Sequence, residues 1–250
     1  MMKAIGLAIL LAGGPAAAAD LTVLSSGGFT PAFRDLAPEF TRRTGDVTHL
    51  ELGASMGTTA TAIPARLARG ETADVLLMVG YALEQLIKDG RAVPGSYTVI
   101  ARSSIGMAVK AGAPHPDIST EAALKQTLLA ARSVAYSDSA SGVYLESELF
   151  PRLGIAEQMR GKARSIKGDP VGSVVANGEY ELGFQQLSEL GAIPGIEIVG
   201  PLPAGAQRVT IYAAGIAAGS KEPVEALKLI SFLASPAAAA AVLKTGLETP

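Results

Sequence analysis

Residues 21–45 read LTVLSSGGFTPAFRDLAPEFTRRTG and contain a strand, a glycine turn and a helix in direct succession. The apolar run at 21–25 predicts a buried strand, and Gly27 and Gly28 allow the tight turn that follows it. Apolar residues then recur at helical spacing up to Gly45, a residue type that commonly ends helices. This unit indicates an α/β fold.

The same alternation of strand and helix continues along the chain. Further strands are predicted at 47–52, 75–79, 105–110, 133–136, 165–167, 182–185 and 209–213, with helical periodicity between most of them. The continuous apolar run at 75–79 is typical of a strand that is buried on both faces. Such alternation predicts an α/β protein with mostly parallel sheets. No long linker divides the chain, so two lobes would be joined by strands that cross between them.

The composition excludes several classes of protein. The 250 residues carry 21 Lys and Arg against 23 Asp and Glu, a formal net charge of -2, which lacks the basic excess of a nucleic-acid-binding protein. The absence of cysteine excludes disulfides, thiolate metal sites and cysteine nucleophiles. The two histidines, His49 and His115, lie in unrelated contexts, so we expect no metal, no cofactor and no Ser-His-Asp triad.

Residues 1–19 have the pattern of a secretory signal peptide. Lys3 precedes a short apolar stretch at 4–12, and three alanines at 17–19 match the A-x-A cleavage pattern. The apolar stretch is shorter than the ~20 residues of a membrane-spanning helix, although an uncleaved anchor is the alternative. We therefore expect a mature chain that begins at Asp20, is exported to the periplasm and is not embedded in the membrane.

Small and hydroxyl-bearing residues occupy four junctions between a strand and the following helix, at 27–30, 55–59, 137–142 and 168–170. Helix N-termini carry unpaired N–H groups and a partial positive charge, which suits anions. In open α/β sheets these strand ends gather at one crevice, so the pattern predicts a site for an oxyanion or a polycarboxylate. The same residue types also cap helices that bind nothing. No junction matches a dinucleotide or phosphate-loop motif.

Four side chains near these junctions are candidates for contact with a ligand. Lys167 directly precedes the last junction and could reach an anion, although a solvated surface lysine is the alternative. Tyr144 lies on the first turn of its helix and suits either a ligand or the core. Gln185 and Gln186 end a strand, and alternation along the strand allows only one of them to face the site.

The motifs SSGGF at 25–29, ASMGTT at 54–59 and SGVY at 141–144 resemble those of type II periplasmic binding proteins, in particular the molybdate-binding branch of ABC transporters. The resemblance covers essentially the whole mature chain. It implies a two-lobed α/β fold with a ligand cleft between the lobes, and an ABC permease as a partner.

The resemblance also implies lobe boundaries and a site. Residues 20–103 and 209–250 would form the first lobe, and residues 104–208 the second. The implied ligand-binding set is Ser25, Ser26, Gly28, Ser55, Met56, Gly57, Thr58, Thr59, Ser139, Ser141, Tyr144, Lys167, Val171, Gln185 and Gln186.

Two departures from the family pattern bear on the ligand. The first-loop serine of the molybdate binders falls on Gly28, and their ligand-binding tyrosine falls on Gln186. Their second-loop serine fits Ser55, in a longer loop that adds Thr58 and Thr59. These differences favour a larger organic acid over molybdate. We expect an exported protein that clamps an organic polycarboxylate for ABC-type uptake.

The alternative function is enzymatic. SSGGF, SMGTT at 55–59, SDSASGVY at 137–144 and GFQQ at 183–186 are similar to the aconitate isomerase group, whose members interconvert cis- and trans-aconitate. Such an isomerase moves a proton along an allylic system, so it needs a base and donors that stabilise an enolate-like carboxylate. The candidates for the base are Lys167, Tyr144, Asp138 and Glu189.

Overall fold

Two five-stranded sheets covered by helices make up the computed structural model, which describes residues 18–57 and 59–250. The predicted signal peptide lies outside these residues except for its last two positions, and Thr58 also lies outside them. The strands are β1 (Asp20–Ser25), β2 (Val47–Leu52), β3 (Val75–Val79), β4 (Thr98–Ser103), β5 (Ile105–Lys110), β6 (Val134–Ser137), β7 (Ala163–Ile166), β8 (Leu182–Gln186), β9 (Ile196–Pro201) and β10 (Thr210–Ile216).

The helices follow the strands in an α/β arrangement. They are α1 (Thr30–Thr44), α2 (Ile63–Ala68), α3 (Gly80–Lys88), α4 (Glu121–Ala130), α5 (Ala140–Tyr144), α6 (Phe150–Arg152), α7 (Ala156–Arg160), α8 (Val171–Ala176), α9 (Leu187–Leu190), α10 (Pro223–Leu233) and α11 (Ala239–Lys244). A π-helical turn, Leu145–Leu149, joins α5 to α6. The predicted two-lobed fold is confirmed, with one lobe built on each sheet.

The two sheets have the same strand pattern. The first has the order β2-β1-β3-β10-β4 and the second the order β7-β6-β8-β5-β9. In each sheet the first three strands are parallel, and the fourth runs antiparallel to both of its neighbours. The prediction of mostly parallel sheets therefore holds for strand direction, since four of the five strands in each sheet run the same way, but only two of the four pairings in each sheet are parallel. Strands β4 and β5 follow each other without a helix, and so do β9 and β10 apart from one 3₁₀ turn, which the alternating pattern did not anticipate.

Helix α1 shows how the sequence determines the first lobe. Phe33, Leu36 and Phe40 lie on one face of α1 and are buried against the sheet, which is the expected consequence of their helical spacing. Gly45 ends the helix with φ at 85°, and its N–H donates to the carbonyl of Thr41. The helix ends at Gly45, as predicted. All five residues of β3 are buried, as predicted from its continuous apolar run.

Two crossings connect the lobes, and they lie side by side. The first passes from β4 to β5 through Ser104, and the second leads from β9 into β10. Gln207 ties them together: its Oε1 accepts from the N–H of Ile105 at 2.9 Å, and its Nε2 donates to the carbonyl of Ile105 at 2.9 Å. The lobe boundaries predicted at 103/104 and 208/209 stay predictions.

The C-terminal part of the chain packs on the first lobe. Leu229, Ile230 and Leu233 of α10 and Val242 of α11 belong to the same apolar core as β3. Among the residues described, no single helix has both the length and the apolar character needed to cross a bilayer. Pro223–Leu233 and Pro236–Lys244 meet that test only jointly, as a pair bent by 61°.

Candidate functional site

A cavity of about 430 Å³ lies between the two lobes, within the ~300–1,000 Å³ range of small-molecule sites. Residues from the ends of β1 and β2 line it on one side, and residues from the ends of β6, β7 and β8 line it on the other. This is the crevice at the carboxyl ends of the strands where α/β proteins bind ligands. Its polar lining residues are Ser26, Thr30, Arg34, Thr59, Thr61, Ser137, Asp138, Ser139, Ser141, Asp169, Gln185, Gln186, Glu189 and Tyr212.

The glycine turn after β1 forms the wall contributed by the first lobe. A Cβ atom at Gly27 would lie 2.1 Å from Oε1 of Glu189, and one at Gly28 would lie 1.9 Å from the hydroxyl oxygen of Tyr212. Both side chains therefore cover the turn so closely that a Cβ atom at either glycine would displace one of them. Ser188 adds a contact between the lobes, because its hydroxyl donates to the carbonyl of Gly28 at 2.8 Å.

The wall of the second lobe is the loop between β6 and α5. The hydroxyls of Ser137 and Ser141 are hydrogen-bonded at 2.9 Å, and the N–H of Ser139 donates to Ser137 at 3.4 Å. A Cβ at Gly142 would lie 1.6 Å from the carbonyl oxygen of Ser137, so glycine is required for this tight strand-to-helix turn. The loop therefore brings Asp138, Ser139 and Ser141 to the cavity.

Two buried polar atoms at the cavity have no hydrogen-bond partner among the described residues. They are Oγ of Ser26, from the first lobe, and Oε1 of Gln186, from the second. The Nε2 group of Gln186 donates to Thr210 at 2.8 Å, which fixes the orientation of the amide. A buried polar atom without a partner costs about 1–3 kcal/mol, so these two atoms point to a ligand that would satisfy them.

Glu189 is the carboxyl group most altered by the site. Burial raises the pKa of Glu189 from its ordinary value to about 7, and the negative charge of Asp138 acts in the same direction. The backbone N–H of Gln186 and the side chain of Gln185 oppose this change without cancelling it. At neutral pH the carboxyl group is therefore divided between its protonated and ionised forms.

Tyr212 lies opposite Glu189 across the glycine turn and stays protonated. Burial holds the pKa of Tyr212 well above its ordinary range, and the charges of Glu189 and Tyr81 raise it further. Its hydroxyl is thus a donor at every physiological pH. Together with Arg34, which lies on α1 and lines the cavity, it provides groups that favour a carboxylate ligand.

The structure brings about half of the predicted ligand-binding set to the cavity. Those that line it are Ser26, Gly28, Thr59, Ser139, Ser141, Gln185 and Gln186. Both glutamines line it, although strand alternation predicted only one, because Gln186 is the last residue of β8 and the chain turns there into α9.

Three other members of the set hold the backbone around the cavity. The hydroxyl of Ser25 accepts a hydrogen bond from the hydroxyl of Thr30 at 3.1 Å, and the hydroxyl of Ser55 accepts from the N–H of Val79 at 2.9 Å. The N–H of Val171 donates to Oε1 of Gln185 at 3.0 Å. These three residues stabilise the segments around the cavity by hydrogen bonds and do not line it.

Four further members are not among the residues that line the cavity. Tyr144 is buried, and its hydroxyl donates to the carbonyl of Ala206 at 2.9 Å. Lys167 is exposed at the end of β7. The sulfur of Met56 accepts from Tyr81 at 3.5 Å, and Gly57 has φ at 101° in the same loop. Thr58 lies outside the described residues.

Sequence reasoning missed Arg34, Asp169 and Tyr212 as lining residues. Arg34 follows the glycine turn by less than two helical turns, so its position was a usable signal. Asp169 belongs to a junction that was identified, although only Lys167 was singled out beside it. Tyr212 reaches the site because β10 pairs with β3, a tertiary arrangement with no local signature.

The comparison with known families decides the classification. The sequence profile of the bacterial extracellular solute-binding proteins matches residues 21–248. The chain belongs to this family. An aconitate isomerase from a Pseudomonas species is 51% identical to this solute-binding protein over 245 residues, which cover 96% of the chain and 94% of that relative.

Solved structures show the fold of this solute-binding protein. The periplasmic molybdate-binding protein of Azotobacter vinelandii aligns with a TM-score of 0.74 and 22% identity, over 92% of this chain and 99% of that one. A sulfate-binding protein from Mycobacterium tuberculosis aligns with a TM-score of 0.70 and 15% identity, over 92% of this chain and 86% of the other. The predicted resemblance to the molybdate-binding branch and to the aconitate isomerase group is confirmed.

Among residues 18–57 and 59–250, no three His, Asp or Glu side chains come together in a way that could hold a metal ion. The cavity itself contains one cationic side chain, Arg34, and three carboxyl groups, from Asp138, Asp169 and Glu189, among the described residues that line it. Hydroxyls and amides make up the rest of its polar surface. The site can therefore bind an anion by hydrogen bonds and can exchange a proton with it.

Proposed function

We propose that this solute-binding protein is an exported isomerase that interconverts cis- and trans-aconitate. The observation that carries the proposal is the 51% identity, over nearly the full length of both chains, to a protein named aconitate isomerase. The resemblance of the loop motifs to that group points the same way. The alternative function of the sequence analysis thus becomes the leading one.

The chemistry of the cavity supports a polycarboxylate rather than a simple oxyanion. Aconitate carries three carboxylates, which need donors on several sides. Arg34, the hydroxyl of Tyr212 and the hydroxyl of Ser26 supply donors from the first lobe, and Ser139 and Ser141 supply them from the second. We propose these residues, with Gln185 and Gln186, as the ligand-binding set.

Glu189 supports turnover as well as binding. A site that only binds an anion gains nothing from a carboxyl group in its lining, because a carboxylate repels the ligand when it is ionised. A carboxyl group with a pKa near 7 is suited instead to general acid–base chemistry at neutral pH. This carboxyl group supports the proposal of an enzyme over that of a carrier.

Membership of the solute-binding family supports proposals about export and partners. We propose that residues 1–19 are removed as a signal peptide and that the mature protein works in the periplasm. The second candidate function is delivery of an organic acid to an ABC permease, which membership of the solute-binding family favours. Both functions require a small anionic ligand in the cavity.

The test is a binding screen followed by a turnover assay on residues 20–250. Thermal unfolding is measured with cis-aconitate, trans-aconitate, citrate, molybdate and sulfate, each at about 100 times its dissociation constant where it binds, which adds about 2.7 kcal/mol of stability. Proton NMR then follows each aconitate isomer with and without the protein.

The outcomes separate the two functions. Interconversion of the isomers supports the isomerase. A shift in melting temperature with aconitate but no interconversion supports a carboxylate carrier and refutes the enzymatic proposal. A shift with molybdate or sulfate alone refutes both and indicates an oxyanion-binding protein.

A further inference from the structure

Glu189 occupies a position that none of the other carboxyl groups in the cavity shares. It is the third residue of α9, a single turn that follows β8 in the second lobe, yet its Oε1 lies over the Gly27 turn of the first lobe. The close approach to Gly27, where a Cβ would lie 2.1 Å from Oε1, shows that glycine at this position leaves room for the carboxyl group. The side chain is therefore located at the boundary of the two lobes, on the cavity wall.

The surroundings of Glu189 provide no counter-charge. None of the described Lys, Arg or His side chains forms an ion pair with it, whereas many surface carboxylates of this chain are paired with arginine, as in Glu148 with Arg208. An acidic residue at such a junction ordinarily forms a salt bridge or caps a helix. An unpaired, partly buried carboxyl group that faces a ligand cavity is instead available for proton transfer.

Four other titratable or charged groups approach the cavity around Glu189. Asp138 approaches from the loop before α5, Asp169 from the loop before α8, Arg34 from α1 and Tyr212 from β10. Asp169 is exposed to solvent, and Tyr212 remains protonated because burial raises its pKa. Burial and the charge of Asp138 raise the pKa of Glu189 to about 7.

We propose that Glu189 is the acid–base residue that carries the proton between the two allylic carbons of aconitate. The inference rests on the proposed isomerase function and goes beyond it by naming the catalytic residue. Lys167 and Tyr144 are set aside as bases, because Lys167 lies outside the cavity lining and the hydroxyl of Tyr144 donates to the carbonyl of Ala206.

The proton balance closes without a co-reactant. The ionised carboxylate of Glu189 removes a proton from the methylene carbon, and the electron pair of that C–H bond delocalises over the three-carbon unit and its carboxylates. The double bond shifts as the protonated Glu189 returns a proton to the former vinylic carbon. The Tyr212 hydroxyl and Arg34 stabilise the charge on the enolate-like carboxylate, and Glu189 ends in its starting form.

The principal test is Glu189→Gln in the mature protein, with Glu179→Gln as the matched control. Glu179 is exposed in the same lobe, so the control changes the same charge away from the cavity. We expect Glu189→Gln to lose about 10²–10⁴-fold in kcat, because general acid–base groups contribute that much, while trans-aconitate still raises its melting temperature. The Glu179→Gln variant is expected to keep the wild-type kcat.

Hydrogen exchange reports on the deprotonation step separately from the complete isomerisation. In D2O the wild-type protein is expected to exchange the methylene protons of trans-aconitate for deuterium, and Glu189→Gln is expected to lose this exchange together with turnover. A variant that binds trans-aconitate and keeps kcat within tenfold of the wild type overturns the assignment. A variant that loses isomerisation but keeps exchange overturns it too, because another group would then be the base.

The pH profile keeps the assignment testable if Glu189→Gln fails to fold. We expect kcat/KM of the wild type to rise with pH through about 7, since Glu189 must be ionised to accept a proton. Asp138→Asn removes a charge that raises the pKa of Glu189, so it should move this inflection to lower pH. A profile without an inflection near 7, or one that Asp138→Asn leaves in place, overturns the assignment.

The controls distinguish this inference from the proposed function. If the wild-type protein binds aconitate and produces no isomer, the proposed function fails. If the wild type is active and Glu189→Gln is equally active, only the identity of the acid–base residue fails.

Discussion

The two walls of the cavity differ in charge although the two lobes share one strand pattern. Of the described lining residues, the cation Arg34 and the neutral donor Tyr212 come from the first lobe. All three carboxyl groups, those of Asp138, Asp169 and Glu189, come from the second. Under the proposed function, the first lobe anchors the carboxylates of the ligand and the second lobe supplies the group that transfers the proton.

The equivalent junctions of the two lobes show how this difference arises. The turn after β3 leads into α3 with Gly80 and Tyr81, and neither residue lines the cavity. The corresponding turn after β8 leads into α9, whose third residue is Glu189. The helix that follows the third strand of the sheet therefore contributes an acidic lining residue, Glu189, in the second lobe and no acidic lining residue in the first.

Removing the cation tests the anchoring role of the first lobe and has the largest expected effect on ligand binding. We expect Arg34→Gln to weaken trans-aconitate binding about 100-fold, since a hydrogen bond to a charged group contributes about 1.5–3 kcal/mol. Titration calorimetry measures the change. Arg42→Gln, on the same helix but paired with Glu39 at the surface, is the control that should keep its affinity. Equal losses in both variants would contradict a specific anchoring role.

The pH dependence of stability tests the second lobe. The folded protein holds a proton on Glu189 that the unfolded chain releases between pH 4.5 and about 7, so the free energy of unfolding contributed by this group falls as the pH rises through that window. The full shift corresponds to about 3.4 kcal/mol, and because Glu189 is partly exposed, solvent screening reduces this contribution. Glu189→Gln removes this loss and should be about 2 kcal/mol more stable than the wild type at pH 8.

Urea unfolding of both proteins at pH 8 and pH 4 measures this difference. Below pH 4.5 the carboxyl group is protonated in both the folded and the unfolded state, so the two proteins should converge there. A stability difference that is the same at both pH values would show that Glu189 does not titrate in the manner described.

A methyl group at the glycine turn tests whether the position of the Glu189 carboxyl group depends on the space that Gly27 leaves for it. Gly27→Ala would place a Cβ against Oε1 of Glu189, and the flexible end of that side chain would have to move. We expect kcat to fall about tenfold, equivalent to about 1.4 kcal/mol, with little change in ligand affinity. Gly161→Ala is the control, because its Cβ would meet no atom within 4 Å. Unchanged kcat in Gly27→Ala would argue against a catalytic position for the carboxyl group.

The smallest expected effect concerns the contact between the lobes. Ser188→Ala removes the hydrogen bond to the carbonyl of Gly28 and should lower the free energy of unfolding by about 1 kcal/mol. Denaturant unfolding measures the loss. Ser147→Ala, whose hydroxyl bonds only to the carbonyl of Val143 one turn earlier, should change stability less. A larger loss in Ser147→Ala would contradict the importance of the contact.

Much of the fold was predictable because its signals are local. Apolar spacing and Gly45 determined α1, and the unbroken apolar run determined β3. Strands β4 and β9 were missed, and each is placed in its sheet by pairing with a strand that runs antiparallel to it. The burial of β9 shows no strict alternation, so the period of a half-buried strand was absent from its sequence.

The site was predictable to the extent that it is built from turns. Gly28, Ser139 and Ser141 lie at strand-to-helix junctions, and these junctions do line the cavity. Ser55 shares the same signature, yet its hydroxyl holds the N–H of Val79. Whether a junction serine faces a ligand or the neighbouring backbone depends on side-chain direction, which sequence spacing alone does not specify. Tyr212 depends on the pairing of a distant strand.

The paired crossings near Gln207 have a mechanical consequence. Because the side chain of Gln207 binds both the N–H and the carbonyl of Ile105, we expect the two connections to move together. Two adjacent connections that move together bend more readily than they slide past each other. We therefore expect the lobes to open and close by rotation about a single hinge axis. Each closure would then bring Glu189 back to the same position at the glycine turn. Lobe orientations in ligand-bound and ligand-free crystals that differ by a translation would contradict this.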